Sequence, residues 1–185
     1  MHKIGGFAVK KQKWMKELLG ILSTLILSLI VVSAVYLMVI RPVRVDGSSM
    51  NPTLNHNDYV LIVPRITDAK YGDVVVLHSH NSANSLYVKR VIATEGQTVD
   101  IDRTTGKIIV DGNVLEEDYI LEENYTLGNA SFPQTVKSDH IFVLGDNRNN
   151  SNDSRFTALG QVDLQDVEGK VLFRIYPAER LGKVS

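Results

Sequence analysis

From Leu18 to Ile40 the chain runs for 23 positions without a charged side chain. At ~1.5 Å of rise per helical residue this is roughly 34 Å, enough to cross a hydrocarbon core of about 30 Å. A cleaved secretory signal is the competing reading, because lysines, an apolar run and the small residues Ser33 and Ala34 imitate a processing site. Apolar regions of such signals span only about 7–15 residues, and here the run continues from Val35 to Ile40 beyond the candidate site. The segment therefore reads as an uncleaved transmembrane helix. Lys3, Lys10, Lys11, Lys13 and Lys16 precede it with one acid, Glu17, and only Arg41 and Arg44 follow closely. The positive-inside bias then predicts a single-pass protein of the cell membrane with a cytoplasmic N-terminus. Residues 1–17 form the basic cytoplasmic end, 18–40 the span in the lipid bilayer and 41–185 an extracytoplasmic domain, where function should be sought.

Composition narrows that function. The chain holds 20 Lys and Arg against 21 Asp and Glu, a formal charge of −1, which argues against a general nucleic-acid binder. It has no Cys, which excludes disulfide scaffolds, thiolate zinc sites and a cysteine nucleophile.

The domain after the helix reads as mainly β and antiparallel. Short apolar runs recur between turn signals, and no long stretch shows the 3.6-residue period of an amphipathic helix. Candidate strands are Tyr59–Val63, Asp73–Leu77, Leu86–Thr94, Thr98–Ile101, Lys107–Val110, Ile141–Leu144 and Lys170–Tyr176. Thr105-Gly106 and Asp111-Gly112 are hairpin-type pairs between them. The acidic, then Gly- and Pro-containing stretch Glu116–Gln134 reads as an exposed excursion.

Three polar clusters interrupt this pattern. Asp46-Gly47-Ser48-Ser49-Met50-Asn51-Pro52-Thr53-Leu54 sets two serines among turn-forming residues, with Met50 and Leu54 as apolar anchors. It can present a hydroxyl and backbone N–H groups to a carbonyl oxygen, or be an ordinary Ser-rich turn. Leu86–Ala93 places Lys89 and Arg90 inside a strand pattern, with Tyr87, Lys89 and Val91 on one face and Val88, Arg90 and Ile92 on the other. One cation at least then faces apolar company, and desolvation can lower a lysine from its ordinary pKa of about 10.4 until it serves as a base. The alternative is an edge-strand lysine that snorkels to water. Gly145 to Arg155 follows an apolar strand with a density of hydrogen-bonding groups suited to a buried network in which Asp153 pairs with Arg155. A solvated loop is the plain alternative; as a calcium loop the segment lacks the terminal Glu and the acid spacing of an EF-hand.

A Ser–His–Asp arrangement would draw on His56, His78, His80 or His140, all in polar or turn-like surroundings that read as surface. His78 and His80 share a strand face without an evident third metal ligand, so no metal or cofactor is expected.

In their order and combination, Ser49-Met50-Asn51-Pro52-Thr53-Leu54, Tyr87-Val88-Lys89-Arg90-Val91 and Gly145-Asp146-Asn147-Arg148 through Ser151, Asp153, Ser154 and Arg155 resemble the membrane-bound type I signal peptidases. The short, single-anchor chain is similar to their compact Gram-positive branch. The resemblance implies a Ser–Lys serine endopeptidase that removes signal peptides from exported preproteins after small residues, at Ala-x-Ala type sites, near the secretion machinery. It makes Ser49 the nucleophile and Lys89 the general base. Ser151 would orient the lysine, Asp153 and Arg155 would brace the site, and Met50 would anchor the nucleophile loop. In some members of the family a hydroxyl two positions before the nucleophile supplies a second oxyanion donor; here that position is Gly47, so the Gly47 N–H, the Ser48 hydroxyl or water must substitute. Two other readings remain at this stage: a self-cleaving repressor-type protease, which the N-terminal anchor and the lack of a DNA-binding segment disfavour, and a membrane-tethered β module that binds exported proteins without catalysis.

Overall fold

The computed structural model describes residues 4–64, 68–79, 82–123 and 126–184. The chain divides into two compact units, Met1–Val39 and Ile40–Ser185.

The first unit is one helix, α1, Ile4–Val39. Its stretch Lys13–Ala34 is long and apolar enough to cross a membrane, and none of it is buried inside protein. This window starts five residues before the charge-free run, because Lys13, Lys16 and Glu17 extend the same helix. Three hydroxyl side chains within it are turned onto their own backbone: Ser23 Oγ and Thr24 Oγ1 donate to the Gly20 carbonyl at 2.8 and 2.9 Å, and Ser28 Oγ to that of Leu25 at 2.8 Å. Such bonds satisfy these three hydroxyls on an apolar helix surface.

The second unit is mainly β. Its strands are β1 Arg41–Arg44, β2 Tyr59–Pro64, β3 Val74–Ser79, β4 Ser82–Thr94, β5 Thr98–Ile101, β6 Ile108–Val110, β7 Asn113–Val114, β8 Gln134–Thr135, β9 His140–Leu144, β10 Val162–Asp163, β11 Val167–Tyr176 and β12 Gly182–Lys183. The larger sheet runs β1-β2-β11-β3-β4-β9-β10, with β12 also on β11, and the smaller runs β7-β6-β5-β8. Every recorded strand pair is antiparallel. Pro42 sits on β1 at the sheet edge, where its missing N–H disturbs no ladder.

Three groups of buried side chains hold these layers. Val45, Met50, Leu54, Val60, Ile62, Val74 and Val88 form one of them. A second joins Ile92, Phe142 and Leu144 to Val99, Ile101 and Ile108 of the smaller sheet, and a third gathers Val75, Leu77, Val91, Ile141 and Val143. β4 contributes to all three, so both of its faces are covered. It lies between β3 and β9, which removes the edge-strand reading of its lysine.

The Glu116–Gln134 excursion is not the plain exposed loop expected. Leu127 and Phe132 pack against the core, the Glu117 carboxylate is buried on Arg148, and Gly128 at φ +78° lies against the Arg155 backbone. Glu117 reads as solvated in the sequence because its partner, Arg148, lies 31 residues along the chain.

Candidate active site

Ser49 lies on the connection from β1 to β2, closed at its neck by Val45 N–H to the Asp58 carbonyl at 2.8 Å and Asn57 N–H to the Val45 carbonyl at 2.9 Å. Inside the neck, Met50 and Leu54 are fully buried and Leu54 N–H donates to the Met50 carbonyl at 2.8 Å, so the loop is bolted to the core on either side of Pro52. Gly47 has φ +93°, a backbone conformation that side chains disfavour. The chain thereby turns just before the serines.

Lys89 approaches from the middle of β4. Its residue is 2 % exposed, and Nζ donates to Ser49 Oγ at 2.7 Å and to the Val88 carbonyl at 3.1 Å. The Tyr87 ring, on the same strand face, has its centroid 5.3 Å from Nζ. Burial pulls the Lys89 pKa from 10.5 down to about 8, against the Asp153 carboxylate, which raises it; Arg155 lowers it and Asp146 raises it. The neutral amine is thus accessible just above neutrality, the condition for a lysine to take a proton from a hydroxyl.

The third cluster lies beneath the pair. Asn147 N–H donates to the Ser49 carbonyl at 3.0 Å and Asn147 Nδ2 to the Ser48 carbonyl at 3.2 Å, while Asn150 Nδ2 donates to Ser48 Oγ at 3.0 Å. Gly145 is required by close approach: a Cβ there would lie 2.3 Å from Ser151 Oγ and 2.5 Å from the Ser49 carbonyl oxygen. Arg155 forks onto Asp153, Nε to Oδ1 and Nη2 to Oδ2 both at 2.8 Å, with neither side chain exposed. Asp153 Oδ2 also accepts from Gly145 N–H at 3.1 Å, which ties the pair to the glycine under Ser49.

The structure thus brings Gly47, Ser48, Ser49, Met50, Lys89, Ser151, Asp153 and Arg155 into one region. It records no hydrogen bond between Ser151 and Lys89: the Ser151 hydroxyl is buried and has no partner among the described residues. The Gly47 N–H donates to His56 Nδ1 at 3.2 Å, and the same nitrogen lies 3.1 Å from Asp46 Oδ1. His56 is exposed, as expected, yet it occupies one of the three candidate oxyanion donors. The Ser49 N–H, in contrast, has no hydrogen-bond partner among the described residues.

Sequence reasoning missed the ion pairs flanking this region. Arg90, buried on the face opposite Lys89, forks onto Asp146 at 2.9 and 2.8 Å, and Asp146 Oδ2 accepts from Thr53 Oγ1 of the serine loop at 2.5 Å. The alternation of β4 turned at least one of its two cations inward without distinguishing Arg90 from Lys89, and that was the available signal. His78 Nε2 lies 3.2 Å from Glu168 Oε2, and His80 lies outside the described residues. Among the described residues no group of three or more His, Cys, Asp or Glu could hold a metal ion.

A family model described as signal peptidase, peptidase S26, matches residues 17–176. The chain belongs to the signal peptidase family. A signal peptidase I of Leptolyngbya laminosa is 35% identical, with 88% of this chain and 82% of that protein covered. The signal peptidase I of Bacillus amyloliquefaciens is 34% identical over 83% of this chain and 88% of its own length. Among solved structures, a signal peptidase I from Enterococcus faecalis is similar at 29% identity and a TM-score of 0.45, covering 57% of this chain and 97% of that one.

Proposed function

We propose that this signal peptidase is a membrane-anchored serine endopeptidase that removes signal peptides from exported preproteins through a Ser49–Lys89 dyad. The observation that carries the reading is the 2.7 Å contact between a buried, low-pKa lysine and a half-buried serine hydroxyl. Neutral Lys89 takes the Ser49 proton as Oγ attacks the scissile carbonyl carbon. The tetrahedral oxyanion is met by the Ser49 N–H, and collapse passes the proton from Lys89 to the leaving amine, releasing the mature protein. Water then gives a proton to Lys89, attacks the acyl carbon and frees the signal peptide, restoring Ser49. Asp153 with Arg155 holds Gly145 against the serine.

Cleavage follows small residues, at Ala-x-Ala type sites, on the outer face of the membrane near the secretion machinery. The N-terminus is cytoplasmic, in keeping with the five lysines that precede the span. Cleavage of an Ala-x-Ala preprotein by the detergent-solubilised wild type, with Ser49→Ala run beside it, tests the reading. Loss of about 10⁴-fold or more in the variant is expected of a missing nucleophile. Equal cleavage by both removes Ser49 from catalysis, and cleavage by neither folded protein leaves a tethered binding module.

A further inference from the structure

Residues 117–121 of the excursion cross the two arginines that flank Asp146, and the mechanism above uses neither of the side chains involved. Arg148 is 1 % exposed, and its fork is filled by Glu117: Nη1 to Oε2 at 2.8 Å and Nη2 to Oε1 at 2.6 Å. Tyr119 donates its hydroxyl to Glu117 Oε1 at 2.6 Å, and its ring centroid lies 4.0 Å from the Arg90 guanidinium carbon. Leu121 N–H closes the strap on the Asp146 carbonyl at 3.2 Å.

We propose that Glu117 and Tyr119 are positioning residues of the peptidase, a strap that fixes Arg148 and Arg90 so that Gly145–Asn147 holds the Ser48–Ser49 backbone in place for attack. The inference rests on the Ser49–Lys89 reading. Each arginine delivers its placement to a different part of the reactive loop. Arg148 Nε donates to the Gly145 carbonyl at 3.0 Å, and Gly145 lies directly against the Ser49 carbonyl. Arg90 holds the Asp146 carboxylate, and that carboxylate holds Thr53 four residues beyond Ser49. Between them, Asn147 bonds both serine carbonyls.

Arg148 depends on Glu117 because a buried guanidinium that loses its carboxylate is left as an uncompensated charge. Without Glu117, Arg148 turns toward other acceptors and releases Gly145. Without the Tyr119 ring, water reaches the Arg90–Asp146 pair and weakens it. The nucleophile stays intact in both cases, but its approach to Lys89 and to the scissile carbon is displaced. A displacement near 1 Å is enough to reduce turnover by about 10²-fold.

The test is steady-state cleavage of an Ala-x-Ala preprotein by the full chain in detergent, at a temperature well below each variant's melting midpoint and normalised to folded protein. Glu117→Gln and Tyr119→Ala are expected to lower kcat by about tenfold or more with KM unchanged, and Tyr119→Phe, which keeps the ring over Arg90, to restore kcat to within about threefold of wild type. A purely structural role lowers the melting midpoint without moving kcat per folded molecule. Wild-type kcat in Glu117→Gln and Tyr119→Ala, with Ser49→Ala inactive, overturns the strap alone. Activity in Ser49→Ala overturns the dyad and the strap with it. If Glu117→Gln does not fold, the pair Tyr119→Ala and Tyr119→Phe decides by the same criterion, since neither alters charge.

Discussion

Replacing Lys89 by Met removes the proposed base and the buried charge together, and the two losses have opposite consequences. The lysine pKa falls from 10.5 to about 8 on folding, chiefly through desolvation. At roughly 1.4 kcal/mol per unit, holding the protonated amine in the folded state costs about 3 kcal/mol. Because the folded pKa lies below the unfolded one, this penalty is complete below pH 8, where both states are protonated. It fades as pH rises toward 10.5, where both become neutral. Met fills similar volume without charge, but it gives up the Nζ hydrogen bonds to Ser49 and the Val88 carbonyl, for about 1 kcal/mol. Lys89→Met should therefore be inactive at every pH yet more stable than wild type by about 2 kcal/mol at pH 7, an advantage that disappears by about pH 10.5. Urea denaturation in detergent, followed by circular dichroism of the β domain at pH 7 and at pH 10, measures this directly. A variant less stable than wild type at pH 7, or a difference that does not change with pH, refutes the desolvated lysine.

The same lowered pKa predicts that kcat/KM rises with pH through about 8 and then levels as Lys89 becomes neutral, and that EDTA leaves the profile unchanged. Loss of cleavage in EDTA, restored by zinc, removes the dyad mechanism. Gly145→Ala forces a methyl against Ser151 Oγ and the Ser49 carbonyl; destabilisation of about 1–3 kcal/mol and reduced kcat are expected from thermal melts and cleavage assays. Arg155→Met leaves Asp153 buried and unpaired beside Lys89. It should destabilise the domain by about 3–5 kcal/mol in urea titrations and, in the folded fraction, move the acid limb of kcat/KM to higher pH.

The parts of the fold that were legible are those in which local pattern and tertiary environment agree. Tyr59–Val63, Thr98–Ile101 and Ile141–Leu144 alternate or run apolar because one or both faces are covered, and each lies within or coincides with an observed strand. β7, β8, β10 and β12 span two residues each, too short for a period of two to register. The serine loop, Lys89 and the Gly145–Arg155 cluster could be singled out because polar density beside apolar strands is locally visible. The pairings that fix them were not. Arg90 meets Asp146 across 56 residues and Arg148 meets Glu117 across 31, and nothing in the acidic run Glu116–Glu123 distinguishes the buried carboxylate from its exposed neighbours. The position of His56 on the Gly47 N–H is likewise a product of the loop's closure at Val45 and Asp58.

A lysine base needs a dry site, and a dry site places Lys89 close to carboxylates that would hold it protonated. Two acids, Asp153 and Asp146, face it with that effect, and Arg155 opposes them. Each acid is bound by a buried guanidinium in a two-point fork, Asp153 by Arg155 and Asp146 by Arg90, so neither presents a full unopposed charge to the amine. Desolvation is consequently the largest influence on Lys89 and its pKa goes down, although two of the three charged groups that act on it are acids. The arginines carry a second duty, since Arg155 through Asp153, Arg148 directly and Arg90 through Asp146 hold the backbone around Gly145 and Thr53. Buried ion pairs add little net stability over an apolar core. Here they do what apolar packing cannot: they offset the carboxylates that would raise the Lys89 pKa while holding the backbone around Ser49 by directed hydrogen bonds.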